Sequence, residues 1–201
     1  MYFNIVAQSS ESTVVTEYKP QAKRSEAYQS EADLEKEFIR LLCELGYERL
    51  TIHKEADLIA NLRTQLENLN NYRFTDGEWK RFWDGVLANT NSGILEKTRL
   101  IQEDYVQVLR RDNGESKNIQ LIDKKCIHNN SLQVINQYAI SAEEGAAHNN
   151  RYDVTVLVNG LPLIHIELKR RGVPIREAFN QIDRYQRDSF WASSGLYEFV
   201  Q

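Results

Sequence analysis

Residues 152–185 read YDVTVLVNGLPLIHIELKRRGVPIREAFNQIDRY. Val154, Val156 and Val158 alternate with Asp153, Thr155 and Leu157, a β-branched run that predicts a strand. Asn159-Gly160 followed by Pro162 is turn chemistry between two such runs. Residues 163–169 alternate again. Ile164, Ile166 and Leu168 fall on one face, and His165, Glu167 and Lys169 on the other, because strand side chains repeat every second residue.

The hairpin brings in Asp153. With Asn159, Gly160 and Leu161 as the loop, Val158 faces Pro162 and Asp153 faces Glu167. Directly opposed residues have Cβ atoms roughly 4.5–5.5 Å apart. A two-residue turn shifts the partner by one and puts Asp153 on the wrong face, so the register is part of the claim. In the three-residue register two carboxylates and an ammonium meet. Close carboxylates repel unless something neutralises them. A hard divalent cation does so, and oxygen ligands suit Mg²⁺. Such an ion can orient a water, lower its pKa and stabilise charge on a phosphate. Lys169 adds a positive charge able to hold or help deprotonate that water. Those parts suit hydrolysis of a phosphodiester.

Further along, Gly172 breaks the strand and Pro174 suits the first position of a helix. Ile175, Phe179 and Ile182 predict its apolar stripe, and Gln181 and Tyr185, four apart, share a face. Between Ile166 and Arg187 stand six basic residues against three acidic ones. In a chain of net charge −4 this local excess marks a phosphate-facing patch, with Arg170, Arg171, Arg184 and Arg187 as the candidate contacts.

The order Asp153, then Glu167-Leu168-Lys169, then Gln181 and Tyr185 resembles the PD-(D/E)xK nuclease superfamily, although Tyr152 stands where the superfamily's name has proline. The Gln-x-x-x-Tyr element narrows the match. The run IELKRRGVPIREAFNQIDRYQRDSFW (residues 166–191) is similar to the N-terminal nuclease domain of the motor (R) subunit of type I restriction–modification enzymes. The resemblance extends over roughly residues 31–201 and is most specific over 151–191. It implies an α/β fold with a mixed central sheet flanked by helices. It also implies Asp153 and Glu167 as ligands of Mg²⁺ (Mn²⁺ as substitute), Lys169 as the catalytic ammonium, and Gln181 and Tyr185 in support. Superfamily members often place an acid of the first helix near the metal, which brings in Glu31 and Glu35. Double-stranded DNA is the implied substrate, and separate methylation and specificity subunits are the implied partners. ATP-driven translocation belongs to motor domains of the R subunit. No Gly-x-x-x-x-Gly-Lys-Ser/Thr loop occurs here, so residues 1–201 are expected to be a single nuclease domain, the N-terminal piece of a longer subunit. Two alternatives are another nuclease of the superfamily, of a repair type, and a non-catalytic DNA-docking module of the same fold.

Composition agrees with a folded domain: 41% hydrophobic and 27% charged residues in a chain of 201. A net negative chain is not coated in nucleic acid, so DNA contact must be local. No apolar run is long enough to span a membrane and no signal-peptide pattern occurs. Cys43 and Cys126 show no ligand spacing and fit a reduced, cytoplasmic setting. The four histidines, His53, His128, His148 and His165, show no zinc pattern.

Residues 1–29 read as irregular, apart from a short strand at 13–18. Ser30 with Asp33 caps a helix whose stripe is Leu34, Phe38, Leu41, Leu42 and Leu45, ended by Gly46. Residues 47–52 read as a strand and 54–71 as a helix with Leu58, Leu62, Leu66 and Leu69 inward. Thr75 and Glu78 form a capping box opening a helix with Trp79, Phe82, Trp83, Val86 and Leu87 inward, as core rather than base-stacking aromatics. Residues 89–93 read as a loop, and 104–110 and 118–123 as a hairpin around Asp112-Asn113-Gly114. Residues 132–140 read as a strand, 141–150 as a loop, and 196–201 as the start of a further strand.

Overall fold

The Asn159-Gly160 turn joins two strands of a mixed sheet, β7 (Asn150–Val158) and β8 (Leu161–Ile166). The computed structural model describes residues 3–8, 14–18, 29–89, 91–140, 150–186 and 195–200. Among them β7 lies between β8 and β6 (Leu132–Ile140), both antiparallel to it, and the two-residue β3 (Glu48–Arg49) runs parallel to β6. The fold is therefore α/β with a mixed sheet.

The turn has two residues, not three. Asn159 (φ 51°) and Gly160 (φ 83°) are both left-handed, the geometry of a type I′ turn, and Val158 pairs with Leu161. By itself this sets the wrong face. A β-bulge corrects it. Leu157 pairs with Pro162, but Val156 pairs with Ile164, so β8 carries one extra residue, Leu163. A bulge of this kind re-aims every side chain beyond it. Val154 then pairs with Ile166, and continuing that phase sets Asp153 opposite Glu167. The expected juxtaposition arises by a different route. The strand stops at Ile166, so Glu167 and Lys169 lie just past its end and not within it.

The sheet has two apolar faces. On one, Val134 and Val154 pack with Ile39, Phe38 and Leu42 of α1 (Glu31–Glu44) and with Ile166 and Leu168. Ser30 caps the helix as predicted, and Asp33 completes a capping box with it. The predicted stripe is displaced, however: Leu41 and Leu45 are exposed and Ile39 is buried, because the helix turns Ile39 onto the sheet. The other face carries the larger core. Here Leu58, Leu62 and Leu66 of α2 (Glu55–Leu69) meet Ile135, Leu157 and Leu161. Thr75 and Glu78 cap α3 (Asp76–Phe82), which runs on into a π-helical turn, Trp83–Leu87. Trp79 and Phe82 are core residues as expected, and Phe74 packs with them, edge-on to Trp79 and tilted against Phe82.

Several sequence expectations change. The first 29 residues contain a hairpin, β1 (Phe3–Gln8) paired with β2 (Val14–Tyr18), of which only the second strand was predicted. A helix, α4 (Ile94–Gln102), follows the 89–93 loop without having been anticipated. The hairpin of β4 (Val106–Arg110) and β5 (Ser116–Gln120) forms as read, but as a separate two-stranded sheet. Residues Leu196–Phe199 are a 3₁₀ turn rather than a strand, with Leu196, Tyr197 and Phe199 buried in the core. The loop expected at 141–150 falls, up to residue 149, outside the described residues. Among the described residues no helix is long and apolar enough to cross a membrane. Cys43 and Cys126 are free and exposed.

Candidate metal centre

Asp153 sits where both neighbouring strands part from it. On the β8 side the ladder ends at Val154–Ile166, and the chain turns so that the Leu168 amide donates to Asp153 Oδ2 (3.0 Å). On the β6 side the pairing runs through Asn136–Val154 and resumes at Tyr138–Tyr152, skipping Gln137 opposite Asp153. Burial pushes the Asp153 carboxyl up, and the adjacent Glu167 carboxylate pushes it further; the Leu168 amide opposes both.

The Glu167 side chain is fully buried. Burial alone pushes its carboxyl up too, but His165 and Lys169 outweigh that and hold it below its usual range. Lys169 Nζ donates to Glu167 Oε1 (2.7 Å), and His165 Nε2 lies 3.5 Å from Oε2. Oε2 itself is buried and accepts no hydrogen bond. Burial pulls the Lys169 ammonium down, yet Glu167, Glu31 and Asp153 together raise it, so it stays charged. Two neighbouring carboxylates, one with an unsatisfied buried oxygen, fit a hard cation. Among the described residues no group of three or more His, Cys, Asp or Glu forms a ready cage.

An open cleft of about 540 Å³ begins at Lys169 and runs between the start of α1 and α5 (Ile175–Tyr185), past Glu31, Arg170, Gln181 and Arg184. Glu31 Oε1 accepts from the Arg170 amide (3.3 Å), so this helix-1 acid stands at the cleft. Glu35 goes elsewhere. It is buried against β6, taking Asn136 Nδ2 (2.6 Å) and Gln137 Nε2.

Gln181 and Tyr185 do meet, Gln181 Nε2 donating to the Tyr185 hydroxyl (2.5 Å), but their roles differ. Tyr185 is buried. Its hydroxyl donates to the Arg151 carbonyl (2.9 Å), and its ring sits edge-on to Tyr152 at 4.9 Å and His165 at 5.6 Å. Gln181 reaches the cleft and Tyr185 does not. The buried face of α5 is Ala178 and Tyr185, while Ile175, expected inward, is exposed. Arg170, Arg171 and Arg184 are exposed; Arg184 lies over the Tyr185 ring at 5.3 Å. Arg187 lies outside the described residues.

Residues 28–201 match the family described as type I restriction enzyme R protein N terminus. The chain belongs to this family. It is 47% identical over 197 residues to the EcoprrI endonuclease subunit of a type I restriction enzyme from Escherichia coli, covering 98% of this chain and 62% of the relative. It is 39% identical over 180 residues to the SauMSSORF170P endonuclease subunit of Staphylococcus aureus, and 36% identical over 179 to the SsaAORF53P subunit of Staphylococcus saprophyticus. Each match covers 87% of this chain and 18% of the relative. The chain thus spans under two thirds of these relatives' length.

Within this member of the family, three elements of the centre escaped sequence reading. Tyr152, Tyr138 and Tyr197 form a ring stack behind Asp153, with Tyr152 and Tyr197 centroids 4.6 Å apart and Tyr138 and Tyr197 5.0 Å apart. Tyr152 precedes Asp153 in a run rich in valine, which gave the only available signal. Asn136 and Gln137 gave none, since their partner Glu35 lies about a hundred residues away.

Proposed function

We propose that this chain is a PD-(D/E)xK-type nuclease domain, residues 1–201, serving an R subunit in Mg²⁺-dependent cleavage of double-stranded DNA. The observation that carries the reading is the half-buried Asp153 beside the buried Glu167, with Lys169 bonded to one Glu167 oxygen and the other oxygen unsatisfied, at the edge of an open cleft that Arg170 and Arg184 also line.

Asp153 and Glu167 hold the ion, Mg²⁺ or Mn²⁺ in its place. When bound it supplies Lewis-acid polarisation of a phosphate and a lowered pKa for water. The Leu168 amide fixes one Asp153 oxygen and leaves the other for the ion. Lys169, kept charged by its acidic neighbours, orients the attacking water and offsets negative charge building on the phosphate oxygens. Glu31 holds the Arg170 backbone and with it the wall of the cleft. Gln181 reaches the DNA, while Arg170, Arg171, Arg184 and Arg187 neutralise flanking phosphates. The relatives named as endonuclease subunits of type I restriction enzymes support the same reaction; in the proposed assembly the partners are methylation and specificity subunits, and ATP serves motor domains of the R subunit.

The test uses the intact R subunit assembled with its partners. Asp153→Ala, Glu167→Ala and Lys169→Ala are each expected to abolish DNA cleavage while DNA binding and ATP hydrolysis persist. Unimpaired cleavage by an Asp153→Ala, Lys169→Ala double variant rejects the reading.

A further inference from the structure

Gln137 stands in the middle of β6 with φ 53°. A glutamine in this left-handed region is strained, and such residues persist only where the surroundings hold them. The consequence is local and specific. The β6–β7 ladder keeps its register on both sides of Gln137, yet opens at Gln137 opposite Asp153. The facing of β6 also changes there. Val134 packs toward α1, while Tyr138, an even number of residues on, joins the core on the opposite face. Asn136 and Gln137, adjacent in sequence, therefore both reach Glu35 of α1, where a regular strand would send one to each side.

The arrangement is costly in a second way. Gln137 Oε1 is buried without a hydrogen-bond partner. A strained backbone and an unsatisfied acceptor at one residue are not choices made for stability, and sites that break local rules are where function is expected. What the two costs sustain is the opened ladder beside Asp153 and a Glu35 carboxylate gripped by two amides.

We propose that Gln137 is the positioning residue of the Asp153–Glu167 centre. Its left-handed backbone keeps Asp153 out of the ladder, and its amide, through Glu35, locks α1 against the opening. This rests on the cation reading above. Groups that orient the ligands of a metal without touching it typically change affinity about 10–100-fold when removed.

The test is calorimetric titration of the full chain with Mn²⁺, beside melting of the metal-free protein. Gln137→Gly keeps the left-handed backbone accessible and deletes the amide. It is expected to weaken Mn²⁺ binding about 10-fold or more with the metal-free melting midpoint nearly unchanged. Gln137→Asn, which tolerates the same backbone and keeps a shorter amide, should recover part of the affinity. Because Gln137 acts through Glu35, Gln137→Gly should add nothing to the loss already caused by Glu35→Gln. Wild-type affinity in Gln137→Gly, or additive losses in the double variant, overturns the proposal. Asp153→Asn in the same titration separates the two readings. If it abolishes binding while Gln137→Gly does not weaken it, only the role of Gln137 fails. If Asp153→Asn binds as wild type does, the cation reading fails.

Discussion

Gly160 lies directly on the backbone of Leu62: a Cβ at this position would fall 2.6 Å from the Leu62 Cα. The contact fastens the β7–β8 turn to α2, and it forbids a side chain for two reasons at once. The backbone of α2 cannot yield as a flexible side chain could, and φ at Gly160 is 83°. Gly160→Ala should therefore destabilise the chain by about 1–3 kcal/mol or more. Urea unfolding measures this. A loss of only a few tenths of a kcal/mol would show that the turn can lift off the helix.

This turn also shows how far the sequence could be read. Alternation placed β6 and β7 correctly, and Asn159-Gly160 marked the hairpin. The loop length was not legible, because Asn159 is fixed by distant partners. Its side chain donates to the Leu121 carbonyl (3.0 Å) and Asn130 Oδ1 (2.7 Å) and accepts from the Ser131 amide (2.8 Å). Nor was the compensating bulge at Leu163 legible, since periodicity within β8 does not record what stands across from it. The Asp153–Glu167 opposition was reached because two shifts of one residue cancel. Helix faces were less legible than strand faces. On α1 and α5 a leucine or isoleucine count nominated Leu41, Leu45 and Ile175, while packing buried Ile39, Ala178 and Tyr185. Resemblance brought in Glu35 as an acid near the metal; its actual amide partners were not legible because they sit in a strand about a hundred residues away.

The Gln181–Tyr185 pair, one motif in sequence, should separate in experiment. Tyr185 is a core residue whose hydroxyl satisfies the Arg151 carbonyl in the strand that carries Asp153. Tyr185→Phe should cost about 1 kcal/mol of stability, and Tyr185→Ala about 3–5 kcal/mol as a buried aromatic is lost. Gln181→Ala, at the cleft, should leave the melting midpoint nearly unchanged and lower cleavage by the assembled enzyme. The pairing of functions is wrong if Gln181→Ala unfolds the chain as readily as Tyr185→Phe does.

Glu78 supplies a pH signature away from the centre. Burial pushes its carboxyl up, but the Thr75 amide, the Tyr72 hydroxyl and the Asp112 amide outweigh this and hold it below the ordinary range. The folded chain thus binds this proton less tightly than the unfolded chain. The stabilisation is present above the unfolded glutamate pKa and is lost as pH falls through the lower folded value. Glu78→Gln should cost about 1–3 kcal/mol near neutrality and progressively less in acid. Unfolding curves for both proteins across the acid range decide this; a difference that does not change with pH counts against it.

Asp153 should behave in the opposite sense. Without a cation its carboxylate is half-buried beside the Glu167 carboxylate, and burial first, then that neighbour, works against its charge. Asp153→Asn removes the charge and keeps an oxygen for the Leu168 amide. In chelator, this variant should melt higher than wild type by a few degrees, on the scale of about 1 kcal/mol. Saturating Mn²⁺ should reverse the order, because a ligand that binds only the folded state stabilises it in proportion to its affinity, and the variant has lost a ligand. Two melting curves for each protein, with and without the ion, measure the crossing. A variant that stays below wild type in chelator would mean that Asp153 is a structural acid whose charge the fold already satisfies, leaving no electrostatic debt for a cation to relieve.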